Sequence, residues 1–251
     1  MLKPRKVPKN LTNQPICYIL YLGKQLSKTR RFFIVKKILA LFMTIFLTCG
    51  ALGVSAREMF DDVSDSDWAA QYIYNLADRG IIGGYGDGTF RQRDNVQRCE
   101  YAKMLVNIAK IPVVASAVSP YADVPQQEWF FPYINSVSPY MTGFQNSDGM
   151  LYFAPEDAAS REAVAVAMVK AKGLDVTRYE DPDGYLAERF SDWYDISSFN
   201  RAYICAAVDN GIFTGDEDGT FRPDAPIIRA EIVAVLYKAF PDGNDVKPNN
   251  N

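Results

Sequence analysis

The sequence predicts an all-α protein in which one helix–loop–helix unit occurs three times. Residues 80–100 contain a glycine loop and an Arg-x-Glu triplet, and both return 131 positions later in residues 211–231. A diverged copy ends at residues 148–162. Apolar residues recur at helical spacing on both sides of each loop. A unit of about sixty residues is marginal alone, so we expect three units to share one core, with six main helices forming one pseudo-threefold bundle.

The N-terminal 56 residues differ in composition from the rest of the chain. They carry 10 of the 27 Lys and Arg residues and no Asp or Glu. Lys36-Lys37 precedes an apolar run, Ile38 to Ala56, that ends in small residues. This pattern predicts a secretory signal cleaved after Ala56, which would export the protein and give it its one contact with the membrane. An uncleaved anchor helix is the alternative. We interpret residues 1–34, a basic leader, as an over-extended start of the gene model.

Charge and composition exclude several classes of function. Residues 57–251 hold the remaining 17 basic residues and all 30 acidic ones, a net charge of −13, which argues against nucleic acid as a partner. The chain has no histidine, which excludes Ser-His-Asp catalysis, Cys-His catalysis and His-ligated zinc. The loop around Asp216 and Asp218 resembles part of a calcium-binding loop, but Thr214 and Ala225 stand where its strongest ligands should be. We therefore expect a plain turn, with no metal and no cofactor.

The first unit, residues 57–119, contains two predicted helices. Trp68 opens the apolar stripe of the first helix, and Gly80 is a left-handed C-cap. The second helix has a stripe at spacings of three, four and seven residues, formed by Tyr101, Met104, Leu105 and Ile108.

The loop between these helices is predicted to serve as scaffold. Gly84 and the pair Asp87-Gly88 shape a sharp turn, and Phe90 is the apolar plug that fixes the loop to the core. In the third unit the corresponding residues are Asp218, Gly219 and Phe221.

The other two units follow in order. The second, residues 120–183, is degenerate and has a longer loop before Phe153. A polar linker, residues 175–188, leads to the third unit, residues 186–240, in which Phe199 takes the position of Trp68. The tail, residues 241–251, has nothing to bury and is expected to be disordered.

The repeated pattern Phe-x-Asp-Val, Trp, Gly-Tyr-x-Asp-Gly-Thr-Phe and Arg-x-Glu resembles the S-layer homology (SLH) repeat over residues 57–240. The resemblance implies non-covalent attachment to the bacterial cell wall. In that family, triplets of repeats bind secondary cell-wall polysaccharides that are linked to peptidoglycan and often pyruvylated. The binding grooves of the family lie between neighbouring repeats of a three-pronged bundle.

Three arginines match the family's characteristic basic residue at the start of the second helix: Arg98, Arg161 and Arg229. A guanidinium fork can bind a carboxylate at two points, and a helix start adds backbone N–H donors to the same target. We therefore predict that these arginines bind the glycan.

Each of the three units departs from the family's pattern at the start of its second helix. Ala163 stands where the other units have Glu100 and Glu231, and the capping Thr is replaced by Gln97 and Ile228. No unit has a complete Ser/Thr-x-x-Glu capping box. We expect the sites around Arg98 and Arg229 to be the better ones.

Two further sets of residues have two readings each. Trp68 and Trp129 either stack on sugar rings or pack in the core. Asp62, Asp123 and Asp192 recur before the first helix of each unit, where the family places an acidic residue near the groove, or they serve as turn or cap residues.

These observations predict a non-catalytic module at the cell surface that binds wall polysaccharide. The alternative is an exported adaptor whose repeats dock another surface protein. A glycosidase with two carboxylates is the enzymatic reading. It is disfavoured because the sequence offers no aromatic cleft and no segment outside the repeats for a catalytic domain.

Overall fold

A computed structural model describes residues 60–114 and 118–241 of the chain. Three predictions fall outside the described residues. They concern the signal segment, the basic leader at residues 1–34 and all but the first residue of the tail. The described part contains seven α-helices, one 3₁₀ helix at Trp193–Asp195 and one two-stranded hairpin. The helices are α1 Ala70–Asp78, α2 Arg98–Ile108, α3 Phe131–Val137, α4 Arg161–Lys172, α5 Pro182–Ala187, α6 Arg201–Asp209 and α7 Arg229–Ala239. The prediction of an all-α protein is confirmed.

The main helices pack in a cyclic order. The first helix of each unit lies against the second helix of the unit before it: α3 packs on α2, α6 on α4, and α1 on α7. The last of these pairs joins the two ends of the described chain. Each unit therefore completes its core with a helix of its neighbour.

Backbone hydrogen bonds at the centre of this arrangement close a ring. The N–H of Ala159 donates to the carbonyl of Val96 at 2.8 Å, that of Ile227 to Ala159 at 2.9 Å, and that of Val96 to Ile227 at 3.0 Å. All three residues are fully buried or nearly so. These three hydrogen bonds link one residue of each predicted unit to the next, and they satisfy backbone groups that water cannot reach.

The core is built from the predicted stripes and plugs. Tyr101, Met104, Leu105 and Ile108 are all buried, as predicted for α2. Phe90, Phe153 and Phe221 are each fully buried, one per loop. The phenyl ring of each of these residues packs on the aromatic residue that opens its unit. The distances between ring centroids are 5.3 Å to Phe60, 5.2 Å to Tyr121 and 5.5 Å to Phe190.

Each second helix keeps one half of a capping box. Glu100 accepts a hydrogen bond from the N–H of Gln97 at 2.9 Å, and Glu231 accepts one from the N–H of Ile228 at 3.1 Å. In the middle unit Ser160 Oγ accepts from the N–H of Ala163 at 3.2 Å. The glutamate half in two units and the serine half in the third replace the missing complete box.

Two elements were not anticipated from the sequence. The longer loop of the middle unit forms a hairpin in which β1, Phe144–Gln145, pairs with the antiparallel β2, Leu151–Tyr152. The polar linker contains α5, whose start is capped by Asp181 through the N–H of Gly184. Leu186 makes the linker part of the core, because it is fully buried and its helix packs on α6.

Asp209, the last residue of α6, ties the linker to the third unit. Its carboxylate accepts hydrogen bonds from Tyr185, from Tyr179 at 2.8 Å and from Arg178. The two tyrosine hydroxyls, followed by Arg178, hold its pKa below the ordinary value of 3.8.

We expect Asp209→Asn to lower the free energy of unfolding by about 1–2 kcal/mol at neutral pH. Because the pKa is depressed in the folded state, this stabilisation is present above the ordinary value of 3.8 and is lost as the pH falls below it. Urea unfolding of both proteins from pH 7 downward should show midpoints that converge in acid. A constant difference would contradict this role.

Candidate functional site

The three predicted arginines each reach across to the loop of the next unit. Arg161 and Arg229 are 5% and 3% exposed, and Arg98 is half-buried. The Nε of each donates to the carbonyl of a plug phenylalanine: Arg98 to Phe153, Arg161 to Phe221 and Arg229 to Phe90, all at 2.8 Å. Each guanidinium is therefore first a structural link between units.

The second nitrogen of these side chains shows a difference. Nη2 of Arg98 donates to the carbonyl of Thr142 at 2.8 Å, and Nη2 of Arg229 to that of Gly83 at 3.0 Å. In Arg161 this nitrogen instead lies 4.0 Å from the carboxylate of Asp216. Burial lowers the pKa of Arg98 and Arg161 from the ordinary value.

The first N–H groups of the second helices are engaged within the protein. The acceptors are backbone carbonyls: the N–H of Arg98 donates to that of Asp157 at 2.9 Å, the N–H of Arg161 to that of Ala225 at 3.0 Å, and the N–H of Arg229 to that of Asp94 at 2.9 Å. The residue after each arginine makes a similar bond. The expectation that these helix starts offer a ligand free donors is wrong for their first two residues, because the neighbouring unit already occupies them.

The three aspartates that open the units hold the loops. Both carboxylate oxygens of Asp62 accept backbone hydrogen bonds at 2.6 Å, from Phe90 and Arg91. Asp123 and Asp192 bind the corresponding pairs at 2.7 to 2.8 Å. This geometry is the turn role considered from the sequence, and a part for these aspartates in glycan binding stays a prediction.

The loop residues have backbone roles. Gly88 and Gly219 have φ of +85° and +78°, which favours glycine. Asp87 and Asp218 each accept from the backbone N–H and the hydroxyl of the threonine two residues on. A Cβ on Gly84 would lie 2.5 Å from the Phe60 ring, so the loop requires glycine there.

Trp129 lies on the surface and forms one wall of a cavity of about 190 Å³, here called the Trp129 groove. The indole is 49% exposed, so it does not belong to the core. The groove lies between the first loop, α2 and the start of α7. Its lining residues are Ile81, Ile82, Gly83, Gly84, Tyr85, Glu100, Lys103, Met104, Trp129 and Arg229.

Lys103 is the residue that sequence reasoning missed in this groove. Its Nζ lies 5.6 Å from the ring centre of Trp129 and 5.8 Å from that of Tyr133. Within the part of the chain that the structure describes, no carboxylate lies within ion-pair distance of it. The signal was available, since Lys103 is three residues after Glu100 and faces away from the buried stripe of α2.

The rest of the Trp129 groove is ordered by Glu100. Its carboxylate accepts from the Tyr85 hydroxyl at 3.4 Å and lies 3.7 Å from Arg229. The guanidinium of Arg229 is 5.0 Å from the centre of the Tyr85 ring, and burial raises the pKa of Tyr85. The groove thus presents an aromatic wall, an exposed ammonium group and a buried guanidinium.

A second cavity, of about 230 Å³, is here called the Trp68 groove. It lies between the third loop and α7, and Trp68, 60% exposed, forms one wall. The remaining lining residues are Arg161, Ile212, Phe213, Thr214, Gly215, Asp216, Glu231, Ala234, Val235 and Lys238. By register Ile212 to Asp216 and Glu231 correspond to residues 81–85 and Glu100 of the Trp129 groove, whereas Ala234 stands in the place of Lys103 and Lys238 has no counterpart in that lining.

The third position, around Arg98, is more apolar. Phe199 takes the place of the two tryptophans and is 78% exposed. By register Ala163 replaces the glutamate, and the half-exposed Phe144 replaces Tyr85. The chain therefore presents three unequal versions of one site, and Arg98 lacks the carboxylate found beside Arg161 and Arg229.

The remaining surface is less suited to a specific ligand. A cleft of about 670 Å³ lies at the corner formed by Asp62, Asp67 and Arg91. Two of its acids are already engaged, because Asp62 accepts from the N–H groups of Phe90 and Arg91 and Asp67 accepts from Gln92 at 2.9 Å. Residues 60–114 and 118–241 contain no cluster of three His, Cys, Asp or Glu residues that could hold a metal ion. Among these same residues no helix is both long and apolar enough to cross a bilayer.

Cys99 and Cys205 are free and buried. Burial raises the pKa of Cys99 to about 11 and that of Cys205 to about 12. Both are therefore packed thiols that are unsuited to act as nucleophiles near neutral pH.

Two segments of the chain, residues 60–102 and 189–233, match the model of the S-layer homology domain family. The first and last units of the chain are thus similar in sequence to this domain family. The middle unit, residues 120–183, lies wholly outside both segments, so the organisation in three repeats is a proposal, supported by the cyclic contacts described above.

Curated relatives include surface proteins and glycanases. The chain is 30% identical to an S-layer protein of Bacillus licheniformis and 29% identical to the S-layer protein EA1 of Bacillus anthracis, over 86% of its length in each case and 24% of theirs. It is 27% identical to an exoglucanase of Acetivibrio thermocellus over 82% of its length and 18% of that protein. The chain spans about a quarter or less of the length of these relatives.

Proposed function

We propose that residues 57–240, two segments of which match the S-layer homology domain, form a triplet of such repeats that anchors the protein non-covalently at the bacterial cell surface. The ligand is a secondary cell-wall polysaccharide linked to peptidoglycan, with an acidic substituent such as a pyruvate ketal. It binds in the grooves between repeats, without catalysis. An exported location follows from this role and from the predicted signal segment.

The Trp129 groove is the observation that carries this proposal. An exposed indole offers an apolar face to a sugar ring. Lys103 beside it is a cation without an acidic partner among the described residues, and it is placed to meet an acidic substituent. Arg229 adds a second positive charge at the base of the groove. Because residues 57–251 carry a net charge of −13, a local positive site such as this groove is one of few on the protein.

The comparisons support attachment rather than catalysis as the shared property. The matched segment is common to proteins described as S-layer proteins and to one described as an exoglucanase. It accounts for 18% of the exoglucanase, so most of that protein lies elsewhere. A segment shared by proteins with such different descriptions supports a task that all of them need.

We expect Lys103→Gln to weaken binding to purified wall sacculi by roughly tenfold, because a charge-assisted contact contributes about 1.5–3 kcal/mol. Lys110→Gln is the matched control, an exposed lysine outside the grooves, and should bind as the unaltered protein does. Cosedimentation with sacculi over a range of protein concentrations gives both affinities. The urea midpoint of each variant shows whether folding has changed.

The same assay separates glycan binding from protein docking. Binding should disappear when the polysaccharide is chemically removed from the sacculi and should weaken with rising salt. Undiminished binding to stripped sacculi would contradict the proposal and favour an adaptor that docks another surface protein.

A further inference from the structure

Among the loop residues that line the two grooves with tryptophan walls, one position differs in charge. The residue after the loop glycine is Tyr85 in the first unit and Asp216 in the third, 131 positions apart. Tyr85 places a ring beside Arg229 and donates its hydroxyl to Glu100 at 3.4 Å. Asp216 places a carboxylate in the corresponding site of the Trp68 groove.

Asp216 pairs with two of the cations at the Trp68 groove, Arg161 and Arg222. Its Oδ1 lies 4.0 Å from Nη2 of Arg161, and its Oδ2 accepts a hydrogen bond from Arg222. Glu231 binds the same two arginines, at 3.4 Å from Arg161 and 3.7 Å from Arg222. Arg222 is thereby held by two carboxylates of the groove, whereas its counterpart Arg91 stacks on Tyr85 at 4.0 Å and pairs with Asp87, which does not line the Trp129 groove, at 2.8 Å.

The electrostatic balance of the two grooves therefore differs by one charge. The Trp129 groove is lined by two cations, Lys103 and Arg229, and one carboxylate, Glu100. The Trp68 groove is lined by two cations and two carboxylates, Asp216 and Glu231. At this spacing, charge pairs near a protein surface interact strongly enough to decide which ligand enters.

We propose that Asp216 determines specificity, so that the Trp68 groove takes a neutral sugar while the Trp129 groove takes the acidic one. This inference rests on the proposed function and assigns a different ligand to each groove. Asp216 stands where an acidic substituent would approach Arg161, and it repels such a group. Its oxygens and those of Glu231 accept hydrogen bonds from sugar hydroxyls, while Trp68 supplies the apolar face.

The consequence is a module that reads two features of one polymer. An acidic residue in one groove and a neutral residue in another would be held at once, and linked contacts of this kind raise the overall affinity well above that of either site alone.

The chain contains three tryptophans, which allows each groove to be observed separately. Protein labelled with 5-fluorotryptophan gives one fluorine resonance for Trp129, one for Trp68 and one for Trp193, assigned by single Trp→Phe substitutions. The probes are the 4,6-pyruvate ketal of a methyl hexoside and the matching neutral isopropylidene ketal. The two differ in the carboxylate.

For the acidic ketal, the dissociation constant read from the Trp129 resonance should be about tenfold or more below that read from the Trp68 resonance. For the neutral ketal, the two dissociation constants should agree within about threefold. Asp216→Asn should strengthen binding of the acidic ketal at Trp68 by about tenfold and leave the neutral ketal unchanged. Glu217→Gln, the matched control, removes the same charge from an exposed neighbour and should change neither affinity.

Two other results have distinct meanings. Equal affinity of the acidic ketal for both grooves, or an Asp216→Asn variant that behaves as the unaltered protein, overturns the assignment of Asp216 and leaves the proposed function standing. Failure of both ketals to shift either groove resonance overturns the proposed function, and the inference with it.

Discussion

Arg229→Ala is expected to destabilise the protein by about 3–5 kcal/mol, because it leaves the buried carbonyl of Phe90 and the partly buried carbonyl of Gly83 without their donor and removes the buried partner of an ion pair. The side chain is 3% exposed and donates to Phe90 at 2.8 Å and to Gly83 at 3.0 Å. Its guanidinium also lies 4.5 Å from the centre of the Phe90 ring. A loss of this size is a large part of the stability of an ordinary domain.

The position of Arg229 in the ring adds to the effect. Its partners lie 139 and 146 residues earlier in the chain, whereas those of Arg98 are 55 and 44 residues away. Arg229 therefore helps to join the last unit to the first. Contacts of long sequence separation close the ring, so their loss should free two units from each other.

Urea unfolding followed by circular dichroism measures this prediction. Lys238→Ala, an exposed change on the same helix, is the control and should fall within about 0.5 kcal/mol of the unaltered protein. Arg229→Lys keeps the charge and loses the fork, so it should lie between them. An Arg229→Ala midpoint equal to that of the control would show that the guanidinium does not hold the ring.

This prediction revises what the sequence suggested for the arginines. Their regular spacing was correctly read as a repeated feature, since each makes the same 2.8 Å bond to a plug phenylalanine of another unit. The partner could not be found from the motif, because the carbonyls belong to residues 55 to 139 positions away. An alanine scan of Arg98 and Arg229 would therefore confuse folding with binding, and Lys103 is the sharper test.

Helix positions and buried stripes were within reach of the sequence, because they depend on local periodicity. Tyr101 and Leu105 are fully buried, as their spacing required. The exposure of Trp68 and Trp129 was not predicted from the sequence, which placed Trp68 in the apolar stripe of the first helix. That helix begins only at Ala70, so Trp68 precedes it and belongs to no stripe. The linker helix was missed for a related reason: one buried apolar residue, Leu186, carries its packing.

Asp62→Ala is expected to cost about 3–4 kcal/mol, since two charge-assisted hydrogen bonds are lost at once. These are the 2.6 Å bonds from the N–H groups of Phe90 and Arg91. Arg91 has a φ of 57°, a left-handed conformation that an L-residue adopts at a cost of about 1–2 kcal/mol. The carboxylate holds that residue in place, so its removal should let the loop relax and release Phe90 from the core.

The opposite change tests the same idea from the other side. Ala154, which follows Phe153 in the middle unit, has a φ of 54° and donates its N–H to Asp123 at 2.7 Å. Ala154→Gly removes the strain, and after the entropy of glycine in the unfolded chain is counted, it should stabilise the protein by about 0.5–1 kcal/mol.

Denaturant midpoints for both variants are needed, together with sacculus binding for Asp62→Ala in conditions where it remains folded. A protein that keeps its midpoint but loses binding would make Asp62 a ligand residue. A lower midpoint with unchanged affinity in the folded state would show that Asp62 holds the loop, because its carboxylate then acts on stability through its hydrogen bonds with Phe90 and Arg91.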